Sequence, residues 1–332
     1  MQRVFGPVPS RRLGLSLGIN NVPSPKRCSY ACIYCQVGRT AKLTIQPTVL
    51  YELDNLFDEV RNRVEEIQAR GQKIDYITFV ADGEPTLDIN LGREIEILKP
   101  IGLPIAVISN SSLVYQQNVR ERLMLADWVS LKIDAVSEDV WRQVNRPHGQ
   151  LKLSAILEGV LAFSESYKGF LATETMLVKD FNDDVEELQK IADFLKNIEP
   201  KKSYISIPTR PPTEDWVSPP NEKALNIAYQ IFQSRIENVE YLIGYEGDAF
   251  GVTEGIEDDI LGITSVHPLR DDALTNILSR SGLDWSLVER LIAEEKLTQT
   301  SYRGHKFYLR KVQPAHVSNE THKDKHIQDI GE

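Results

Sequence analysis

Cys28, Cys32 and Cys35 lie within eight residues, and the 332-residue chain contains no other cysteine. Three thiolates are one short of a closed structural zinc site, which takes four ligands. They are also one short of the four cysteines that normally hold a cubane iron–sulfur cluster. The loop Cys28-Ser29-Tyr30-Ala31-Cys32-Ile33-Tyr34-Cys35 offers no histidine, the nearest being His148. This donor set points to a 4Fe–4S cluster with one iron open to an exchangeable ligand. Two plainer readings compete: an incomplete zinc site, or a core stripe, since positions i, i+4 and i+7 share a helix face and cysteine behaves as a small hydrophobe. The turn-rich stretch Val22-Pro23-Ser24-Pro25-Lys26-Arg27 argues against a helix there.

Further candidates stand at the ends of expected strands. Asp82-Gly83-Glu84-Pro85-Thr86 combines a glycine that permits close backbone approach with a proline that stiffens the turn. Ser109-Asn110-Ser111 offers hydroxyls and an amide suited to ribose and carboxylate groups, or to a helix N-cap. Lys132 and Asp134 alternate with Leu131 and Ile133, so both charges share one strand face, and Glu174 stands similarly on the next strand. Charges facing a lumen together must pair or bind a ligand. Arg210, in Pro208-Thr209-Arg210-Pro211-Pro212, is suited to bind a carboxylate or phosphate, or simply to be solvated.

The cysteine spacing, with Tyr34 before the last cysteine, resembles the signature of the radical S-adenosylmethionine superfamily. The resemblance implies that S-adenosylmethionine chelates the open iron and is reductively cleaved to a 5′-deoxyadenosyl radical that abstracts hydrogen from a substrate. It also implies an electron donor of flavodoxin or ferredoxin type and anaerobic handling. Asp82-Gly83-Glu84-Pro85 resembles the Gly-Gly-Glu-Pro element that binds the methionyl amino group, with Asp82 in place of the first glycine. By the same resemblance Tyr34, Asp82, Gly83, Glu84, Pro85, Ser109, Asn110 and Ser111 contact the cofactor. Lys132, Asp134, Glu174 and Arg210 are then the candidates for catalysis. Pro9-Ser10-Arg11-Arg12-Leu13-Gly14, Tyr245–Gly251 and Ser265-Val266-His267-Pro268 resemble a group related to wyosine-base tRNA-modifying enzymes. Those enzymes carry extra cysteines for a second cluster. This chain has none, which leaves the second substrate open.

Apolar strands alternate with amphipathic helices along the chain. Strands are expected at 13–19, 75–80, 104–109, 128–133, 170–178 and 203–207, with an edge strand at 239–243. Helices are expected at 50–70, 91–98, 115–125, 154–166, 184–197 and 224–235. Such alternation implies an α/β fold with a parallel sheet. The resemblance selects an open partial (β/α)6 barrel over a doubly wound sheet, and either places chemistry at the carboxyl ends of the strands. Residues 1–264 are expected to form that barrel. Residues 265–312 read as two short helices and a hairpin resembling a winged helix, and 313–332 as a disordered tail.

The net charge of −10 argues against a generally nucleic-acid-coating surface. No apolar run is long enough for a membrane span, and a cysteine cluster without other cysteines fits a reducing cytoplasm. The hairpin carries Arg303, His305, Lys306, Arg310 and Lys311, which favours docking of an RNA or peptide by a separable module over simple capping of the barrel. The competing function is a cluster-bearing redox or nucleic-acid-binding sensor without radical catalysis. Its weakness is that a sensor needs neither the glycine–proline loop nor inward-facing charges.

Overall fold

The computed structural model describes residues 3–244, 250–253 and 255–311. The tail at 313–332 and residues 245–249 of the polar stretch lie outside the described residues. Val4–Ser10 (β1) and Gly14–Ile19 (β2) form an antiparallel hairpin. Arg27–Cys28 (β3) and Lys42–Leu43 (β4) make a separate parallel pair around the cysteine loop. Tyr76–Phe79 (β5), Ile105–Ser109 (β6), Trp128–Lys132 (β7), Phe170–Met176 (β8), Lys202–Ser206 (β9) and Val239–Leu242 (β10) follow, each parallel to its neighbour. The result is a curled, open 8-stranded half-barrel in the order β1-β2-β5-β6-β7-β8-β9-β10.

Leu56–Ala69 (α1), Leu91–Leu98 (α2), Gln117–Leu123 (α3), Glu138–Asn145 (α4), Leu153–Ser166 (α5), Val185–Ile198 (α6) and Glu222–Gln233 (α7) connect these strands. Most residues of the central strands are buried, as in a parallel sheet with covered faces. Ile77, Val107, Val129, Leu131 and Ile205 share the main core with the helices' Leu56, Leu91, Val160 and Leu188. Alternate residues face inward, where Leu13, Ala106, Trp128, Ala172, Tyr204 and Leu242 form an apolar floor. Above that floor the inner face turns polar. Lys132 pairs in register with Glu174, and Ser206 ends the adjacent strand on the same face.

All seven expected strands are present. β1 was not expected, because it contains Pro7 and Pro9. Proline donates no hydrogen bond and is tolerated only at an edge, which is where β1 lies. The expected helix at 50–70 begins only at Leu56, after Asn55 takes a left-handed conformation with φ 65°.

Beyond the sheet come Ile256–Val266 (α8), Leu269–Arg270 (β11), Asp271–Arg280 (α9), Ser286–Ala293 (α10), Leu297–Tyr302 (β12) and His305–Arg310 (β13). The two helices and hairpin match expectation. β11 adds a third strand beside β13, and α8 is new. The boundary expected at residue 265 falls in the last turn of α8. Phe5 and Val8 of β1, Ile260 and Ile263 of α8, and Leu274 and Leu291 of the terminal helices share one core. Arg63 of α1 clasps this region, donating to the Gly6 carbonyl and the Asp259 carboxylate, each at 2.6 Å.

Candidate active site

The cysteine loop leaves β3 and is clamped from two sides. Ala31 and Ile33 donate their N–H groups to the carbonyls of Asn145 and Val144 at the end of α4, each at 3.0 Å. Thr213 and Glu214, in the segment after β9, bond to the carbonyls of Cys35 and Ile33. Each cysteine sulfur then receives one side-chain nitrogen donor from a different part of the chain. Asn110 Nδ2 reaches Cys28 Sγ at 3.3 Å, Asn145 Nδ2 reaches Cys32 Sγ at 3.5 Å, and Lys26 Nζ reaches Cys35 Sγ at 3.0 Å. Desolvation pushes the Cys28 thiol up to about 11 and Cys32 up to about 12. Desolvation is the largest influence on Cys35 too, but the charge and hydrogen bond of Lys26, with the Val37 N–H and Lys132, together hold that thiol below its ordinary value. Among the described residues, no group of three His, Cys, Asp or Glu side chains is arranged to hold a single metal ion.

Gly83 is fixed by a backbone contact. A Cβ there would sit 1.6 Å from the Arg27 carbonyl oxygen, which also accepts the Glu84 N–H at 3.2 Å. The glycine thus lets the Asp82–Pro85 loop lie directly against β3 and Cys28. The Glu84 carboxylate is buried and occupied within the protein. It accepts from the Thr86 hydroxyl, the Ser109 hydroxyl and the Asn110 N–H, each at 2.7 Å, and so ties this loop to the end of β6. Desolvation raises its pKa despite those bonds. Two neighbouring groups differ: Asp82 Oδ1 and Ser111 Oγ are buried without a hydrogen-bond partner. Ser111 also holds a left-handed φ of 68°, a strain that tends to persist at functional sites.

Three of the four charged candidates meet in the lumen. Lys132 Nζ lies 3.1 Å from Glu174 Oε1, 4.0 Å from Asp134 Oδ1 and 4.9 Å from the centre of the Tyr34 ring. Burial lowers the Lys132 pKa, against the pull of Asp134. Glu174 also pairs with Arg12 and accepts from Ser206 Oγ at 2.9 Å. Asp134 accepts from the Tyr34 hydroxyl, from Asn145 Nδ2 at 2.7 Å and from the Met176 N–H at 2.8 Å. One chain of contacts therefore runs Arg12–Glu174–Lys132–Asp134–Asn145–Cys32. Arg210 lies apart, at the mouth, donating to Gln36 Oε1 at 2.7 Å and lying 3.1 Å from His267 Nε2.

Residues 22–195, just over half the chain, match the Radical SAM superfamily. UPF0026 protein MJ1312 of Methanocaldococcus jannaschii is 45% identical over 314 residues, covering 94% of this chain and 97% of that one. The chain is a radical SAM protein of the UPF0026 family. A UPF0026 protein of Helicobacter pylori is 37% identical over 210 residues, covering 63% of this chain and 67% of its own. A solved structure of TYW1 with a lysine-pyruvate adduct bound shares the fold, at TM-score 0.50 and 17% identity, over 68% of this chain and 76% of that one. Radical SAM proteins are enzymes that use a 4Fe–4S cluster, S-adenosylmethionine and an electron donor, so this chain is an enzyme of that class. Among its described residues no helix is long and apolar enough to cross a membrane.

The donor chemistry of this radical SAM site fits those cofactors. Two thiols that resist ionisation become ligands when a bound metal centre supplies positive charge. Ser111, whose Oγ is unpartnered, lines a small, mostly apolar cavity of about 20 Å³ that Lys132, Asp134 and Asn145 also border. Sequence reasoning missed Lys26, Arg12, Gln36 and Asn145. Arg12 lay in a quoted motif and Lys26 just ahead of the cysteines, but Asn145 gave no signal, since α4 itself was not expected.

Proposed function

We propose that Cys28, Cys32 and Cys35 ligate one 4Fe–4S cluster with an iron open to S-adenosylmethionine, and that the enzyme abstracts hydrogen from a substrate held in the polar upper lumen. The observation that carries this reading is the set of three sulfurs, each with its own nitrogen donor, joined through Asn145 to the lumen charges. Bound there, the two cofactors supply one-electron cleavage of a C–S bond and hence a hydrogen-abstracting radical. The protein's part is positioning. Gly83 and Pro85 set the loop against β3, and Glu84 holds it to β6 rather than touching a ligand. Ser111 has a hydroxyl to offer to the nucleoside or methionyl group, and Asp82 a carboxylate oxygen. Tyr34 and Asn145 hold Asp134 beneath the cysteine loop, while Lys132 and Glu174 line the lumen. Arg210, braced on Gln36 beside Cys35, meets a substrate at the mouth.

Residues 265–312 are taken as a winged-helix-like cap on the barrel that carries a basic hairpin toward an RNA or peptide substrate. The core they share with β1 and α8 supports capping. The test is anaerobic reconstitution followed by addition of S-adenosylmethionine and dithionite. About four irons and four sulfides per chain are expected, with 5′-deoxyadenosine formed and the reduced cluster's paramagnetic resonance spectrum altered by S-adenosylmethionine. A zinc-loaded, colourless protein, or a cluster blind to S-adenosylmethionine, overturns the reading.

A further inference from the structure

Of the three side-chain nitrogen donors to the cysteine sulfurs, Asn110 and Asn145 are neutral and Lys26 alone is charged. Lys26 lies outside the cysteine motif and is buried, so water screens it little. Its orientation is fixed at two points: Nζ donates to Cys35 Sγ at 3.0 Å and to the Gly38 carbonyl at 2.6 Å, inside the turn that closes the loop. One-electron reduction adds a negative charge to an iron–sulfur cluster. A fixed ammonium against one ligand sulfur stabilises that reduced form, and hydrogen bonds to cluster sulfurs act in the same direction. We infer that Lys26 is a positioning residue that sets the reduction potential of the cluster through Cys35, making it easier to reduce. The inference rests on the three-cysteine cluster proposed above.

The experiment is a dithionite titration of the full-length, anaerobically reconstituted protein, followed by paramagnetic resonance without S-adenosylmethionine, for wild type, Lys26→Gln and Lys26→Arg. Iron content is measured first. If the wild type takes up no cluster, the cluster reading fails before Lys26 is compared. Given a loaded wild type, Lys26→Gln should hold the same iron at a more negative midpoint potential, and Lys26→Arg should stay close to wild type. A loaded Lys26→Gln with the wild-type potential overturns the inference, as does an equal shift in Lys26→Arg. A folded Lys26→Gln that takes up no iron overturns it also, showing that Lys26 builds the loop rather than tunes the cluster.

Discussion

Replacing Gly83 with alanine tests whether close packing of two loops is what places Cys28. The added Cβ would stand 1.6 Å from the Arg27 oxygen and 2.7 Å from the Arg27 carbonyl carbon. Carbon contacts settle near ~3.5 Å, so β3 must retreat by about 1.5–2 Å, carrying Cys28 with it. Overpacking of this kind costs ~1–3 kcal/mol, and loss of the Glu84-to-Arg27 hydrogen bond adds about 1 kcal/mol. The sum of roughly 2–4 kcal/mol lies within a typical folding stability of ~5–15 kcal/mol, so the variant should fold yet lose most of its iron. Iron and sulfide content after reconstitution, with thermal unfolding of the same sample, reads both effects. Gly102→Ala is the control. Gly102 has φ +79° with no atom within 4 Å of an added Cβ, so alanine there strains the backbone far from the loop and should leave iron uptake intact. Gly83→Ala with wild-type iron and wild-type stability would refute the reasoning, and iron loss in Gly102→Ala would show that loading follows general stability instead.

Two further outcomes follow from buried groups. Desolvation, reinforced by Asp88, pushes the Glu94 carboxyl from 4.5 up to about 8, so between those pH values the folded chain binds more protons than the unfolded one and stability falls as pH rises. Glu94→Gln should therefore be more stable than wild type near pH 8, by at most ~5 kcal/mol, with the difference vanishing below pH 4.5; equal urea midpoints at pH 5 and pH 8 for both proteins would contradict this. A chain ending at Val266 removes Leu269, Leu274, Ile277 and Leu291 from the core that holds Phe5, Ile260 and Ile263. At about 1.5–3 kcal/mol for each buried side chain this rivals the whole stability, so the truncated chain should be insoluble, whereas a soluble, iron-loaded product on gel filtration would mean that the segment is a separable docking module.

What the sequence made legible was local. The cysteine loop, the Gly83 turn and the alternation of Lys132 with Asp134 each show within a few residues, and repeated βα alternation gave the sheet its parallel order. The use of each residue was less legible, because it depends on distant partners. Gly83 admits the backbone of Arg27, and Glu84 is tied to Ser109 and Asn110. Asn145 meets Cys32 across 113 positions and Arg12 meets Glu174 across 162, separations that no periodicity encodes. α4 and α8 went unread for different reasons. α4 is 8 residues long with Trp141 and Val144 as its large buried side chains. α8 is buried on most sides, including the polar Asp259 and Thr264, so its amphipathic signal is weak.

The lumen charges also bear on what the substrate needs to be. A buried cluster of one sign would demand a counter-ion from the ligand, since an unpaired buried charge is costly. Here Arg12 and Lys132 face Glu174 and Asp134, and every one of these side chains has an ionic or charge-assisted partner within the protein. Removing one member leaves a neighbour uncompensated, whereas the intact set balances itself. These four residues therefore set no charge requirement on what enters. On the function proposed above, selection by charge belongs further out, where Arg210 on its Gln36 brace and Arg303 on the hairpin line one cavity of about 260 Å³.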